Sequence, residues 1–324
     1  MNASYITYID KTNLFVTKLY AVLFASSSAL GITSNTFIII TLLKTKTFPR
    51  NTFFVYLVGL AVADLIYSAT LPVLFAVNSV IPSITWNFGR YCWFIYPIIA
   101  SHFYVSSLIV VAMNIHRFTA VYFEHVYKTV NSYRFGVRST AAIFAFGNIL
   151  CLAHSLNVTS GLGRYQDISG KEIVGEICVW LPPTQENILP YVTLIVNWIF
   201  GYALPYFTIL PCSILIKLKV SKSHSKLASK KREAADRQMT NMLIAMSLIL
   251  VATFTPRFIY LILEVLGLYD FIKGHWINFF VWMRTVNHWC NYFVYLLWSP
   301  IFRRSLVRKN NKIGVTATEN TTQY

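Results

Sequence analysis

FFVYLVGLAVADLIYSATLPVLFAV, residues 53–77, is the stretch from which the fold is read. Asp64 is its single charged residue, and the run exceeds the ~20 mostly apolar residues that a helix needs to cross a bilayer. Runs of the same kind lie near 20–43, 91–121, 139–157, 189–216, 239–266 and 274–297. Together they define an all-α membrane protein, a seven-transmembrane helix bundle over residues 20–297. Residues 1–19 are assigned to an extracellular N-terminus and 298–324 to an amphipathic helix and cytoplasmic tail. Ser299 to Lys309 is basic and amphipathic, as suits a short helix lying on the inner membrane surface.

Composition agrees. Of 324 residues 56% are hydrophobic and 12% charged, against about 25% charged in an ordinary soluble domain. The net charge of +16 would suit a nucleic-acid partner if it were spread over the surface. It is not: 20 of the 28 Lys and Arg fall on one side of the bundle, in the three inner loops and the tail. That bias in short loops marks the cytoplasmic side. The charge therefore reports topology and an acidic lipid surface, and no nucleic-acid partner is expected. Met1 to Asn13 is polar, so no cleaved leader is expected and the first span is expected to serve as the insertion signal.

Cys151, Cys212 and Cys290 fall inside apolar spans, where a buried free thiol is the usual state. Cys92 and Cys178 fall on the outer side, where oxidation is permitted, and one extracellular disulfide between them is expected. Asn2 and Asn157 head glycosylation sequons on that same side. A third sequon at Asn320 lies in the cytoplasmic tail and is set aside.

A charge in mid-membrane costs on the order of 2.5–3.5 kcal/mol, so each such residue calls for a reason. Asp64 has candidate partners in Asn35 of the first span, Ser106 of the third, and Asn287 and Asn291 of the seventh. If these converge they make a hydrated polar core, in which an ion such as Na⁺ can neutralise the carboxylate. The alternative is that they simply cross-bond the helices. Arg257 directly follows Pro256 in the sixth span, and Arg284 stands seven residues before Asn291, about two turns or roughly 10 Å towards the outside. Both are candidates for holding an anionic ligand or for pairing with an acid such as Glu264; Phe103, His102 and His288 complete the ligand-binding candidates. Pro72, Pro205, Pro211 and Pro256 each remove a backbone hydrogen bond and kink their helices.

The ordered set resembles the rhodopsin-like G-protein-coupled receptor family across nearly the whole chain. Asn35, Leu60-Ala61-Val62-Ala63-Asp64, Trp86-Asn87-Phe88-Gly89, Cys92 standing 25 residues before Arg117, Cys178, Pro205, Pro256, Asn291 with Tyr295, and Phe302-Arg303-Arg304 carry the resemblance. It implies a Cys92–Cys178 bridge, an extracellular ligand, a heterotrimeric G-protein partner and a plasma-membrane location. Activation and coupling would then fall to His116, Arg117, Asp236, Phe254, Pro256 and Tyr295. The departures are in the switch. His116-Arg117-Phe118 lacks the carboxylate that the family places beside Arg, with Asp236 as a substitute lock between the third and sixth helices. Phe254 stands for the toggle Trp, Tyr292 for the seventh-helix Pro, and Ser213 for a fifth-helix Tyr. Thr70-Leu71-Pro72 is similar to receptors for peptides, nucleotides and small acids, and Arg138 to Ile143 with Ser299-Pro300 is similar to hydroxycarboxylic-acid and oxoeicosanoid receptors. In those acid receptors an Arg stands where Phe103 does here, so Arg284 is the candidate substitute.

The expected function is a receptor for an extracellular ligand, a small organic acid, nucleotide, lipid or peptide. The competing reading is an atypical, constitutively active or decoy receptor, given the altered switch. No cofactor is expected beyond a possible structural Na⁺. An enzyme is not expected: His102, His154, His275 and His288 show no metal-ligand spacing, and no nucleophile has a matching base.

Overall fold

The computed structural model describes residues 7–8, 14–44, 50–80, 92–155, 158–166, 172–180, 188–222, 230–265, 274–299 and 302–303. Helices α1 (Leu14–Lys44), α2 (Thr52–Val80) and α3 (Cys92–Tyr122) form the first three spans. A short helix α4 (Glu124–Val130) leads into α5 (Tyr133–Ser155), the fourth. The fifth is composite: α6 (Leu189–Val196), a π-helical segment (Asn197–Ala203) and α7 (Leu204–Lys222). α8 (Lys230–Val265) and α9 (Gly274–Trp298) complete the bundle. The seven apolar runs are thus seven helical passages, close to the expected limits. α5 begins six residues earlier than its apolar run and α8 nine residues earlier than its own. Both extensions are polar helical turns, which a hydropathy reading cannot see.

The sequence reading did not foresee three features. Between α5 and α6 the chain forms an antiparallel hairpin of β2 (Val158–Gln166) and β3 (Glu172–Trp180), with β1 (Thr7–Tyr8) parallel to β2. α4 is the second. The third is the π segment, in which the Leu204 N–H reaches back five residues to the Ile199 carbonyl. The wider turn immediately precedes Pro205, whose ring would otherwise press on the carbonyl four residues before it.

Packing inverts the soluble pattern. Phe207 is 76% exposed and Ile149 63%, whereas Asn35, Asp64, Ser68, Ser106, Asn114 and His288 are completely buried. In a bilayer the apolar side chains gain nothing by turning inward, while polar groups must find partners inside the protein. α3 is the central strut. It packs on α2, α5, α7 and α8, and Ser101 to Val110 is buried on every face. α9 closes the ring against α1, α2 and α8. Six of the spans among the described residues are long and apolar enough to cross a membrane by composition alone. α9 is not among them because it carries Arg284, Asn287, His288 and Asn291.

Gly31 sets the approach of α1 to α2. A Cβ there would lie 2.1 Å from Ser68 Oγ and 2.6 Å from Ser68 Cβ, and beside it Ser28 Oγ donates to the Ser68 carbonyl at 2.7 Å. Gly31→Val is therefore expected to force the helices apart at about 1–3 kcal/mol, the usual cost of overpacking. Heating of the solubilised protein, followed by the fraction remaining monodisperse, measures it; an unchanged profile would mean that the contact is slack.

Candidate functional site: a polar core below two intramembrane arginines

Asp64 lies mid-way along α2, and three donors from two other helices converge on it. Ser106 Oγ of α3 donates to Oδ1 at 2.7 Å. His288 Nδ1 of α9 meets the same oxygen at 2.6 Å, and Asn291 Nδ2 of α9 donates to Oδ2 at 2.7 Å. His288 and Asn291 are three residues apart and share a helix face. Asn35 does not touch the carboxylate. Its Nδ2 donates to the carbonyls of Gly31 at 2.9 Å and His288 at 2.8 Å, so it fixes the backbone that presents the imidazole. Asn287 is buried nearby but makes none of these three contacts.

His288, one of the ligand-binding candidates, is fully buried on Asp64, with its ring stacked on Tyr67 at 3.7 Å between centroids. His102, another of those candidates, is 7% exposed and packs edge-on against Phe144 of α5.

One turn before His288 on α9 stands Arg284. Its guanidinium lies over the Phe103 ring at 4.4 Å and over Tyr67 at 5.9 Å, within cation–π range of both. Phe103 in turn packs on Tyr202 of the π segment at 5.8 Å and on Phe254 of α8 at 5.2 Å. A contact chain thus runs from Arg284 through Phe103 to Phe254, two residues before Pro256. Arg257, the residue after Pro256, lies over Tyr260 at 4.6 Å, and its buried Nη1 finds no acceptor among the described residues. Beside the proline, Tyr206 Oη of α7 bonds the Val251 carbonyl at 3.1 Å and Thr255 Oγ1 at 2.9 Å.

At the basic end, Arg117 Nη2 donates to Thr240 Oγ1 of α8 at 3.4 Å, a link between the third and sixth spans through a residue the sequence did not single out. The side chain of the expected partner, Asp236, lies outside the described residues, as do those of Cys92, Cys178 and Glu264, the sequons at Asn2 and Asn157, and the chain beyond residue 303. His116 is buried and packs on Tyr56 at 6.1 Å and Tyr127 of α4 at 5.1 Å. Tyr295 is buried and packs on Phe302 at 5.9 Å.

A second polar cluster was missed. Asn114, one turn before Arg117, donates to Ser247 Oγ of α8 at 3.2 Å and accepts from Ser213 Oγ of α7 at 3.0 Å. Its signal in the sequence is an Asn within an apolar span, but nothing there says which helices it meets. It ties α3, α7 and α8 at the level where Ser213 replaces the larger Tyr. The Arg117–Thr240 bond has a testable consequence. Thr240→Ala is expected to raise ligand-free second-messenger output roughly 2–10-fold, since one hydrogen bond is worth about 0.5–1.5 kcal/mol. His116→Asp, which places a carboxylate beside Arg117, is expected to lower it; equal basal outputs in all three proteins would remove these residues from the switch.

Seven helical passages around a buried carboxylate, with an Arg closing the third passage and prolines in the fifth and sixth, define a membrane receptor bundle. Residues 34–295 match the 7 transmembrane receptor (rhodopsin family), and the chain belongs to that family. It is 24% identical over 250 residues to cysteinyl leukotriene receptor 1 of Mus musculus, covering 76% of this chain and 66% of that protein. It is 26% identical over 247 residues to somatostatin receptor type 5 of Rattus norvegicus, covering 74% and 63%. Somatostatin receptor type 2 of Mus musculus aligns over 97% of the chain and 82% of its own length at 23% identity. The chain thus spans just under two thirds of the first two relatives. The protein is a multi-pass membrane receptor and not an enzyme.

Proposed function

We propose that this receptor, with its N-terminus outside the cell, binds a ligand bearing an acidic group through Arg284 and signals through a heterotrimeric G protein at its basic end. The observation that carries the reading is the Arg284 guanidinium resting on Phe103, which itself rests on Phe254. The relatives are named for ligands of two kinds, cysteinyl leukotrienes and somatostatin, so kinship does not choose between them; an intramembrane arginine favours an anion. A carboxylate or phosphate pairing with Arg284 gains charge-assisted hydrogen bonds and draws the guanidinium off the Phe103 ring. Phe103 and Phe254 then repack, α8 pivots at Pro256, and the Arg117–Thr240 bond opens to free Arg117 for a G-protein helix. The ligand acts by its differential affinity for the two states. Arg257 is a second, weaker anchor.

The test is a panel of carboxylates, nucleotides, acidic lipids and short peptides applied to cells expressing the chain, with second messengers of several G-protein classes as readout. An N-terminal epitope tag stained on intact cells checks the orientation. Activation by neutral or cationic ligands alone would discard the acidic-ligand reading, and a tag reached only after permeabilisation would discard the topology.

A further inference from the structure

We infer that the bundle has no working sodium site at Asp64, because the imidazole of His288 occupies the place beside the carboxylate that the ion would take. Asn35, Asp64, Ser106, Asn287 and Asn291 would suit a small hard cation, which is held by oxygen donors. In the folded bundle both carboxylate oxygens of Asp64 are already engaged. Oδ1 of Asp64 is met by both Ser106 Oγ and His288 Nδ1, and Oδ2 by Asn291 Nδ2. A carboxylate offers about four lone-pair sites, and three are filled by donors from two helices. An N–H aimed at Oδ1 from 2.6 Å excludes a cation from that side, and a nitrogen donor is a poor ligand for such an ion.

The ring cannot readily step aside. One face stacks on Tyr67 at 3.7 Å, its own carbonyl is gripped by Asn35, and the residue is completely buried. The charged and titratable groups around it act in the same direction. Tyr67 of α2 carries both His288 and, at 5.9 Å, the permanent positive charge of Arg284. His102 of α3 and Tyr295 of α9 add no negative charge. Of the other sequence candidates, Asn287 makes none of the three contacts to the carboxylate.

The whole purified receptor in detergent, without any ligand, provides a test independent of the acidic-ligand reading. Thermal unfolding is compared in sodium chloride and in choline chloride at equal ionic strength, for the wild type, Asp64→Asn and His288→Ser. The wild type and Asp64→Asn are expected to show the same sodium increment, because neither binds the ion at residue 64. His288→Ser exchanges the imidazole for a hydroxyl oxygen and is expected to gain a sodium-dependent rise of about 2–4 °C, lost again in the double variant with Asp64→Asn. A larger sodium increment in the wild type than in Asp64→Asn would overturn the inference. So would a folded His288→Ser that remains indifferent to sodium. Should that variant not accumulate, His288→Asn supplies an amide oxygen in place of the hydroxyl, and the wild-type comparison decides by itself.

Discussion

Arg284→Ala is expected to abolish or weaken the response to an acidic agonist by at least about 30-fold while the receptor still reaches the cell surface. Removing one partner of a buried, hydrogen-bonded charge pair costs roughly 2–5 kcal/mol, at 1.4 kcal/mol per tenfold. The charge sits where the effect should be large: on α9, over Phe103 and Tyr67, away from the basic end where water and lipid headgroups would screen it. Arg284→Lys keeps the charge and loses the planar fork and the flat ring contact, so an intermediate loss is expected. Arg257→Ala should lose less, since its guanidinium lies on Tyr260 of its own helix. Dose–response curves normalised to surface staining measure all three. Unchanged potency in Arg284→Ala would remove this residue from the site.

The second large effect concerns stability. Asp64→Ala deprives Ser106, His288 and Asn291 of their common acceptor in a fully buried place. Unpairing such a group costs about 3–5 kcal/mol, which corresponds to a fall on the order of 10 °C in unfolding temperature. Asp64→Asn retains one carbonyl oxygen as acceptor and should fall by less than half as much. Differential scanning fluorimetry on the purified receptor tests the order wild type, Asn, Ala. If Ala were as stable as the wild type, the three contacts would be geometrically present but energetically idle, and the polar core would need another explanation.

The membrane class, the seven passages and the buried carboxylate were legible from apolar run length and charge placement, because the cost of a charge in lipid is local and additive along the chain. Ser106 and Asn291 as partners of Asp64 were legible for the same reason: a polar residue in an apolar span must bond something. Which residue bonds which was not. His288 was assigned to the ligand and Asn35 and Asn287 to the carboxylate, whereas the folded bundle brings His288 to Asp64 and leaves the two asparagines off it. One helical turn offers positions i, i+3 and i+4 to the same neighbour, and only the rotation of α9 against α2 chooses among them.

The Asn114–Ser213–Ser247 cluster shows the same limit, since its members come from three helices whose spacing along the chain is unrelated to their spacing in space. The π turn before Pro205 answers the local demand of the proline ring, but that Gly201 within it lies against Phe103 of α3 is settled by tertiary packing. The sequence by itself thus determined what must be paired: the carboxylate, the arginines and the amides that lipid will not tolerate alone. Only the tertiary structure decided the pairs, because helix rotation, register and tilt are settled by contacts between spans far apart in the chain.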